Sequence, residues 1–510
     1  MIIGNLGDIV LIATHVDKTR AGKGQHGEWI SPDAQKTLQT VKKTMSYIPN
    51  LKSNVIVLDS NVPASYGFKQ LKCMLSSIKQ DNELKQYEQF PVLSRSTFSE
   101  ILRNQVNLLA SDEHIDELLQ QLSYMGEVFC IYDHIVISIS WLGTELLGEL
   151  LSANFLQHAR VTGVYTAEDF QACFNQCDAL GALSLLEDLS LCIRCDLEEE
   201  VEYEFPIYNR IETLEGLWDS DDPRYTGKSS HYGGVRLCTP PNTCHLLQSV
   251  FVFIQIDLRR ATLANFTNND SDMDLYQWYM GSKLCNVDLE SLITLEEGNY
   301  AQYIEIKVRG PNNSSQCCFY FLEQILHTIF TSISRVCPGL LLERHILSPE
   351  DLRMHSKDPF LYNPHIINSA MLEAESTSDV IFYNSNIGQY ESVVQLVMFG
   401  DPELANGILW GCGLKVQDLP SAAKLKLCGL LDPPEPHGRD WCLLALRLGL
   451  NQEKIAALDS QYSSHTMRLL TVTECSIGAL ITSLHDLDRL DAVEVVLRSA
   501  PLFKLRNDLD

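Results

Sequence analysis

LLDPPEPHGRDWCLLALRLGL at 430–450 and IGALITSLHDLDRLDAVEVVL at 477–497 decide the reading of this chain. In the first stretch, Asp432-Pro433-Pro434 and Pro436 interrupt the backbone, because proline lacks an amide donor and clashes with the turn before it. Asp440 then offers a side-chain acceptor where a helix must start, and Gly449 permits a left-handed exit where it must stop. Between them Trp441, Leu444, Ala445 and Leu448 recur at helical spacing. In the second stretch Ile477, Leu480, Ile481, Leu484 and Leu487 form one stripe, and Asp491 is placed to cap a last helix carrying Val493, Val496 and Leu497. Ser421 opens a helix upstream, Asn451 caps QEKIAAL, and Met467, Leu469 and Leu470 mark another. These segments amount to about six helices, each too short to be stable singly, so they must share one core. Residues 415–505 are therefore read as all-helical, with Trp441, Leu444, Leu448, Leu480 and Leu484 in that core.

The chain upstream changes character several times. Residues 373–390 are polar and Ser/Asn-rich, a loop or linker candidate. Residues 231–400 mix strands with helices: strands are read at Val250–Asp257, Tyr276–Leu284 and Ala301–Arg309, and a helix at Cys317–Val336, which makes an α+β domain. Residues 206–230 read as loop. Within 90–205, Ser111 caps a helix with Ile115, Leu118, Leu119, Leu122 and Met125 on its apolar face, ended by Gly126. Two strands, 127–131 and 135–139, then flank Tyr132-Asp133-His134, and Trp141–Leu151 is helical again. Helix, hairpin, helix is the order of a winged-helix module.

Residues 1–85 read as alternating strand and helix. DIVLIA (8–13) and NVIVL (54–58) are short apolar runs suited to buried parallel strands. Ser31-Pro32 opens a helix through about Tyr47, and a second helix is read from Ser65. This is half of a doubly wound sheet. Two strands do not make a stable parallel sheet, so the start of that domain is expected to lie outside this sequence.

The 510 residues, at about 100–200 per domain, fit three to five domains. The formal charge is −27, from 39 Lys+Arg and 66 Asp+Glu. A field of that sign repels phosphate backbones and anionic lipid, so nucleic acid and membrane surfaces are excluded as first partners. The winged-helix-like module, followed by Asp196, Glu198, Glu199, Glu200, Glu202 and Glu204, is accordingly read as packing against protein rather than DNA. No apolar run reaches membrane-spanning length, and the N-terminal residues do not form a secretory signal. The 16 cysteines are dispersed, as reduced thiols in a cytoplasmic protein would be.

Motifs for chemistry are sparse. Cys173-x-x-x-Cys177 and Cys192-x-x-Cys195 have zinc-like spacing, but the second pair lies in a strand-like run where residues three apart face opposite sides, so buried thiols are favoured and no metal is expected. His231, His345 and His437 have no motif partner, and no lipase, metalloprotease or kinase signature occurs. Asn265 and Asn269 begin glycosylation triplets, read as chance in a cytoplasmic chain. Thr14, His15 and Asp17 follow an apolar strand, where a carboxylate can accept both hydrogen bonds of a guanine edge. No Gly-x-x-x-x-Gly-Lys-Ser/Thr loop occurs, and Gly22-Lys23-Gly24 lacks its spacing, so GTP hydrolysis is not expected and no cofactor is assigned.

The two opening stretches resemble a death domain, in particular that of the death-associated protein kinases. Matching segments run in the same order: LIATHVD (11–17), DELLQQLSYMGEV (116–128), WLGTELLGELLS (141–152), YGGVRL (232–237), HILSPEDLRMHSKDP (345–359) and LYNP (361–364). These resemble the Roc and COR segments of that family. The resemblance implies a multidomain chain: a partial α/β Roc GTPase-like sheet (1–85), a winged-helix part of COR (90–205), an α+β part of COR (206–400) and an all-α six-helix death domain (415–505). Family members also carry a serine/threonine kinase, a calmodulin-binding segment and ankyrin repeats, none of which this sequence shows. Thr14, His15 and Asp17 match the base-reading motif, and Asp59-Ser60-Asn61 falls at the second base-side loop.

The expected function is that of a non-catalytic signalling scaffold in apoptosis. It would bind death-domain partners or a second copy through the death domain, or dimerise through COR, in the cytoplasm and by resemblance on the cytoskeleton. Arg439, Arg447, Asp486, Asp488 and Arg489 are the exposed charges expected to make those contacts. The alternative is a divergent Roc-type guanine-nucleotide-binding protein.

Overall fold

DIVLIA, apolar on both faces, becomes the middle strand of a small sheet at the start of the chain. In the computed structural model the described residues are 2–5, 8–13, 22–23, 29–44, 51–57, 90–105, 110–174, 178–197, 200–214, 216–218, 222–225, 230–267, 273–298, 301–374, 380–458 and 464–506. They form two units, one of residues 1–159 with 165–189 and 196–203, the other of 204–510 with 160–164 and 190–195.

In the first unit, β1 (Ile2–Asn5) pairs antiparallel with β2 (Asp8–Ala13). After α1 (Pro32–Thr44), β3 (Leu51–Val57) pairs parallel to β2 on its other side. The expected parallel pair is thus part of a mixed three-stranded sheet. Two residues separate β1 from β2, and a link that short permits only antiparallel pairing. Gly22 and Lys23, read as loop, ladder with Trp29 and Ile30. Thr14, His15 and Asp17, Asp59-Ser60-Asn61, the helix read from Ser65 and the end of the first helix at Tyr47 lie outside the described residues.

Farther on come β4 (Val92–Ser94), α2 (Arg95–Gln105), α3 (Asp112–Tyr124), β5 (Phe129–Ile131) and β6 (His134–Val136), with sheet order β4-β6-β5. Ser111 Oγ accepts from the His114 amide, and Gly126 leaves the helix at φ +69°. Ile115, Leu119, Val128 and Ile135 form the small core. The helical run read at Trp141–Leu151 is a π-helical segment, Trp141–Leu146, continuing into Leu147–Leu150.

The second unit is built on β7 (His231–Cys238), α4 (Leu246–Thr267), β8 (Met273–Trp278), β9 (Gly281–Asn286), β10 (Leu289–Glu297), β11 (Gln302–Gly310), α5 (Ser315–Val336), β12 (Glu343–Leu347) and β13 (Leu361–Tyr362). The strands make one antiparallel sheet in the order β8-β9-β10-β11-β7-β12-β13. Val235, Leu237, Ile293, Ile304 and Ile306 share one core with Phe251, Ile254, Phe319, Leu322 and Ile325 of α4 and α5.

Three expectations fail in this unit. Val250–Asp257 is not a strand but the middle of α4. A short apolar run fits either state; here Leu247, Val250, Phe251, Ile254 and Leu258 fall at helical spacing and are all buried. Tyr276–Leu284 is two strands, not one, turning at Tyr279-Met280. A side chain at Gly281 would strike the Trp278 indole, which closes against the turn. The linker expected at 373–390 contains a hairpin, β14 (Ile381–Asn384) and β15 (Gln389–Ser392), after α6 (Pro364–Glu373). Part of its polarity is internal, at Asn384 and Glu391. Glu391, buried, accepts from Ser348 Oγ (3.0 Å), Tyr362 Oη (2.5 Å) and Asn384 Nδ2 (3.0 Å).

The opposite sheet face carries paired charges. Arg236 and Glu305 are cross-strand neighbours, as are Glu290 and Arg309. Arg309 donates twice to Glu290 (3.0 and 2.7 Å), and its guanidinium lies 4.3 Å from both the Trp218 and Tyr225 rings. Nothing in the sequence periodicity marked these residues as a set. Full burial is tolerated because each guanidinium is paired, donates to its partner and is covered by rings.

β16 (Ile408–Trp410) precedes a bundle of α7 (Ser421–Leu431), α8 (Trp441–Arg447), α9 (Gln452–Leu458), α10 (His465–Val472), α11 (Ile477–Asp486) and α12 (Leu490–Ser499). The bundle does not fill 415–505. A last strand, β17 (Phe503–Leu505), returns to pair with β16.

Candidate interaction surface

Four of the bundle's helices, α8 to α11, start where the sequence supplies acceptors. Asp440 accepts from the Cys442 amide, Asn451 from Lys454, Ser464 from Met467 and Ser476 from Ala479, at 2.9–3.1 Å. Each cap is a side-chain acceptor for an amide that has no partner within its own helix. Leu427, Leu444, Leu469, Leu480 and Leu484 are fully buried in the shared core. Trp441 and Leu448, read as core, are only half-buried at its rim. The Trp441 indole stacks on His465, centroids 4.5 Å apart and planes 9° from parallel.

The five charges read as exposed separate into two groups. Arg447 and Asp486 are exposed and stand outside the network of the other three; Asp488 is exposed too, although it is paired. The other three belong to one network that fastens the proline-rich loop to the α11–α12 corner. Arg489 is buried, against the expectation that it is exposed. It donates to the Arg439 carbonyl (2.6 Å) and the Leu430 carbonyl (2.7 Å) and forks onto Asp491 (2.9 and 2.8 Å). Asp491 therefore does not cap α12. It lies in the first turn and neutralises Arg489, which occupies the capping position. Arg439, half-buried, donates to Asp488 (2.9 Å) and Glu435 (3.2 Å). Asp488 itself is at φ +56°. Arg439, with the His437 and Arg439 amides, holds the Glu435 carboxyl down to about 2. Arg489 likewise lowers Asp491. The signal that could have found Arg489 was its position between two acidic residues at a tight corner, where a fork of donors can reach several carbonyls.

The remaining surface of α7–α10 presents Leu425, Lys426, Leu446, Arg447, Lys454 and Val472. Elsewhere, Cys192 and Cys195 are buried and Cys173 is exposed, while Cys177 lies outside the described residues. Among the described residues no group of three metal-ligating side chains assembles. His231 bonds the Phe399 carbonyl (3.0 Å), His345 faces Glu343 (3.3 Å), and His437 is exposed in the proline-rich loop. Among the described residues no helix is long and apolar enough to cross a membrane.

The death-domain family, a class of protein–protein interaction module, matches this bundle of capped short helices at residues 424–500. The chain as a whole is similar to the death-associated protein kinase dapk-1 of Caenorhabditis elegans, at 30% identity over 531 aligned residues, covering 97% of this chain and 36% of that protein. Over that shared segment the chain is death-associated-protein-kinase-like, and it spans about a third of the relative's length. A shorter similarity, 30% over 103 residues, is to the netrin receptor unc-5 of Drosophila melanogaster, covering 17% of this chain and 9% of that receptor.

Proposed function

We propose that this chain is a non-catalytic scaffold region of a death-associated-protein-kinase-like protein, acting in apoptotic signalling from the cytoplasm through its death domain. The observation that carries the reading is the bundle at 424–500, a death domain whose Arg447, Asp486 and Asp488 are exposed while Arg439 and Arg489 are committed to structure. An exposed arginine beside exposed Leu446 suits recognition of an acidic protein surface. The reading of residues 1–85 as Roc-like is supported by the strand–helix–parallel strand order of β2, α1 and β3. The reading of 90–400 as COR is supported by the collinear similarity. Guanine-nucleotide binding is not part of the proposal, because the sequence supplies no phosphate-binding loop.

The test is capture of death-domain proteins by the immobilised chain. Arg447→Glu should reduce capture several-fold while leaving helicity and melting unchanged. Capture that survives both Arg447→Glu and Asp486→Arg overturns the assignment of these residues, and capture that survives removal of 421–500 overturns the scaffold reading itself.

A further inference from the structure

The last helix of the bundle is buried on too much of its surface for the outer helix of a small domain. Ala492, Val493, Val495, Val496, Leu497, Ser499 and Ala500 are all buried, leaving Leu490, Asp491, Glu494 and part of Arg498 open. A helix packed only on its own bundle keeps a polar face toward water. Here the second covering surface comes from the α+β region. Asn368 of α6, itself buried, donates to the carbonyls of Leu497 (2.9 Å) and Ala500 (3.4 Å).

The segment after α12 then turns back and is fastened along its length. The Gly411 amide donates to Leu502 O (2.8 Å), and β17 pairs with β16 from Ile408↔Leu505 to Trp410↔Phe503. Phe503 stacks on Phe319 of α5 with centroids 5.5 Å apart, and Lys504 reaches Asp418 at 3.0 Å. At the rim, Arg498 bridges to Glu343 of β12 at 3.2 Å.

We infer that the α12 face of the death domain is occluded by the α+β region, and that Pro501–Leu505 is a strap whose release uncovers it. Partners that use α7–α10 dock on the closed chain. A partner that needs α12 meets only the fraction of molecules in which the strap is open, and its apparent affinity falls by that fraction. The consequence for docking rests on the proposed role of the death domain; the occlusion does not, and it is read without any partner.

The experiment is hydrogen exchange with hydroxyl-radical footprinting on the full chain, comparing the parent with Phe503→Ala, Arg498→Glu and the swapped pair Arg498→Glu/Glu343→Arg. Amides of 490–505 should exchange at least tenfold faster in the two single variants. Oxidation of Val495 and Leu497 should rise in step, amides of β7 and β11 should stay as protected as in the parent, and the swapped pair should return toward parent rates. Unchanged exchange and footprint at 490–505 in both single variants overturns the strap. So does equal loosening through β7–β12 in Arg498→Glu, which would make the segment part of one indivisible core.

Discussion

Asn368 hydrogen-bonds the main-chain carbonyl of Leu497 at 2.9 Å, so a side chain of the α+β region terminates the last helix of the death domain. Helix ends leave carbonyls that need donors, and here no water-exposed cap is available. Asn368→Ala should lower the stability of the full chain by about 1–3 kcal/mol, the usual effect of leaving buried acceptors unpaired. Asn368→Asp should be worse, since it replaces the donor with a buried carboxylate facing carbonyls. Urea unfolding measures both, and equal stability of the parent and the alanine variant would show that the bond is dispensable.

Arg489 should be a structural residue with no direct share in partner recognition. Arg489→Lys keeps the charge but cannot reproduce a fork that serves two carbonyls and Asp491 at once. A loss of at least about 2 kcal/mol in denaturant unfolding is expected. A variant with parental stability but lost partner capture would return Arg489 to the recognition surface.

Acid should loosen the proline-rich loop through Glu435. Its pKa is depressed to about 2 in the folded chain by Arg439, against about 4.3 when unfolded. Between those values the unfolded state binds more protons, so stability rises with pH. The contribution is complete above about pH 4.3 and is lost as pH falls toward 2. Glu435→Gln should flatten the melting-temperature profile in that window and leave pH 7 to 8 unaltered in slope. A profile of unchanged steepness would remove Glu435 from the acid response.

Two core substitutions should rank by burial and not by size. Leu444 is fully enclosed, and Leu444→Ala should remove about 2–5 kcal/mol. Trp441 is half-buried against His465, so Trp441→Ala should fall below the roughly 3–5 kcal/mol of an enclosed tryptophan. Thermal melts that reverse this order would place the indole in the core after all.

Gly411→Ala addresses the strap junction separately. A β-carbon there would lie 2.1 Å from the Pro501 carbonyl oxygen. The backbones of β16 and the returning segment must separate to admit it, at about 1–3 kcal/mol. The expected result is lowered stability together with faster amide exchange at 501–505, and a fully parental variant would show that the approach is looser than 2.1 Å implies.

How far the chain could be read in advance differs by element. Asp440 and Asn451 cap helices as expected, because an amide within three residues needs an acceptor, a local demand that sequence states directly. Ser464 and Ser476 meet the same demand outside that reading, and the cap expected at Asp491 is displaced by Arg489. Ile477, Leu480 and Leu484 likewise declare their stripe by spacing. Val250–Asp257 was ambiguous because its six apolar residues satisfy both a strand and a buried helix, and only the sheet beside α4 settles it. Most of the β14–β15 hairpin read as linker because 373–390, Asn384 included, is polar and Ser/Asn-rich; Asn384 and the neighbouring Glu391 are in fact buried. Their partners, Ser348 and Tyr362, lie 36 and 29 positions away along the chain.

By itself, then, the sequence determined the helical bundle, its caps at Asp440 and Asn451 and the core positions Leu444, Leu480 and Leu484, because these follow from contacts within a turn or two of chain. Tertiary structure alone decided that Arg489 is buried while Arg447 is free, that Trp441 lies at a rim, and that α12 is covered on a second side. Those outcomes depend on which distant backbone carbonyls and apolar faces arrive beside each residue, and charge and hydrophobicity patterns along a chain carry no record of that.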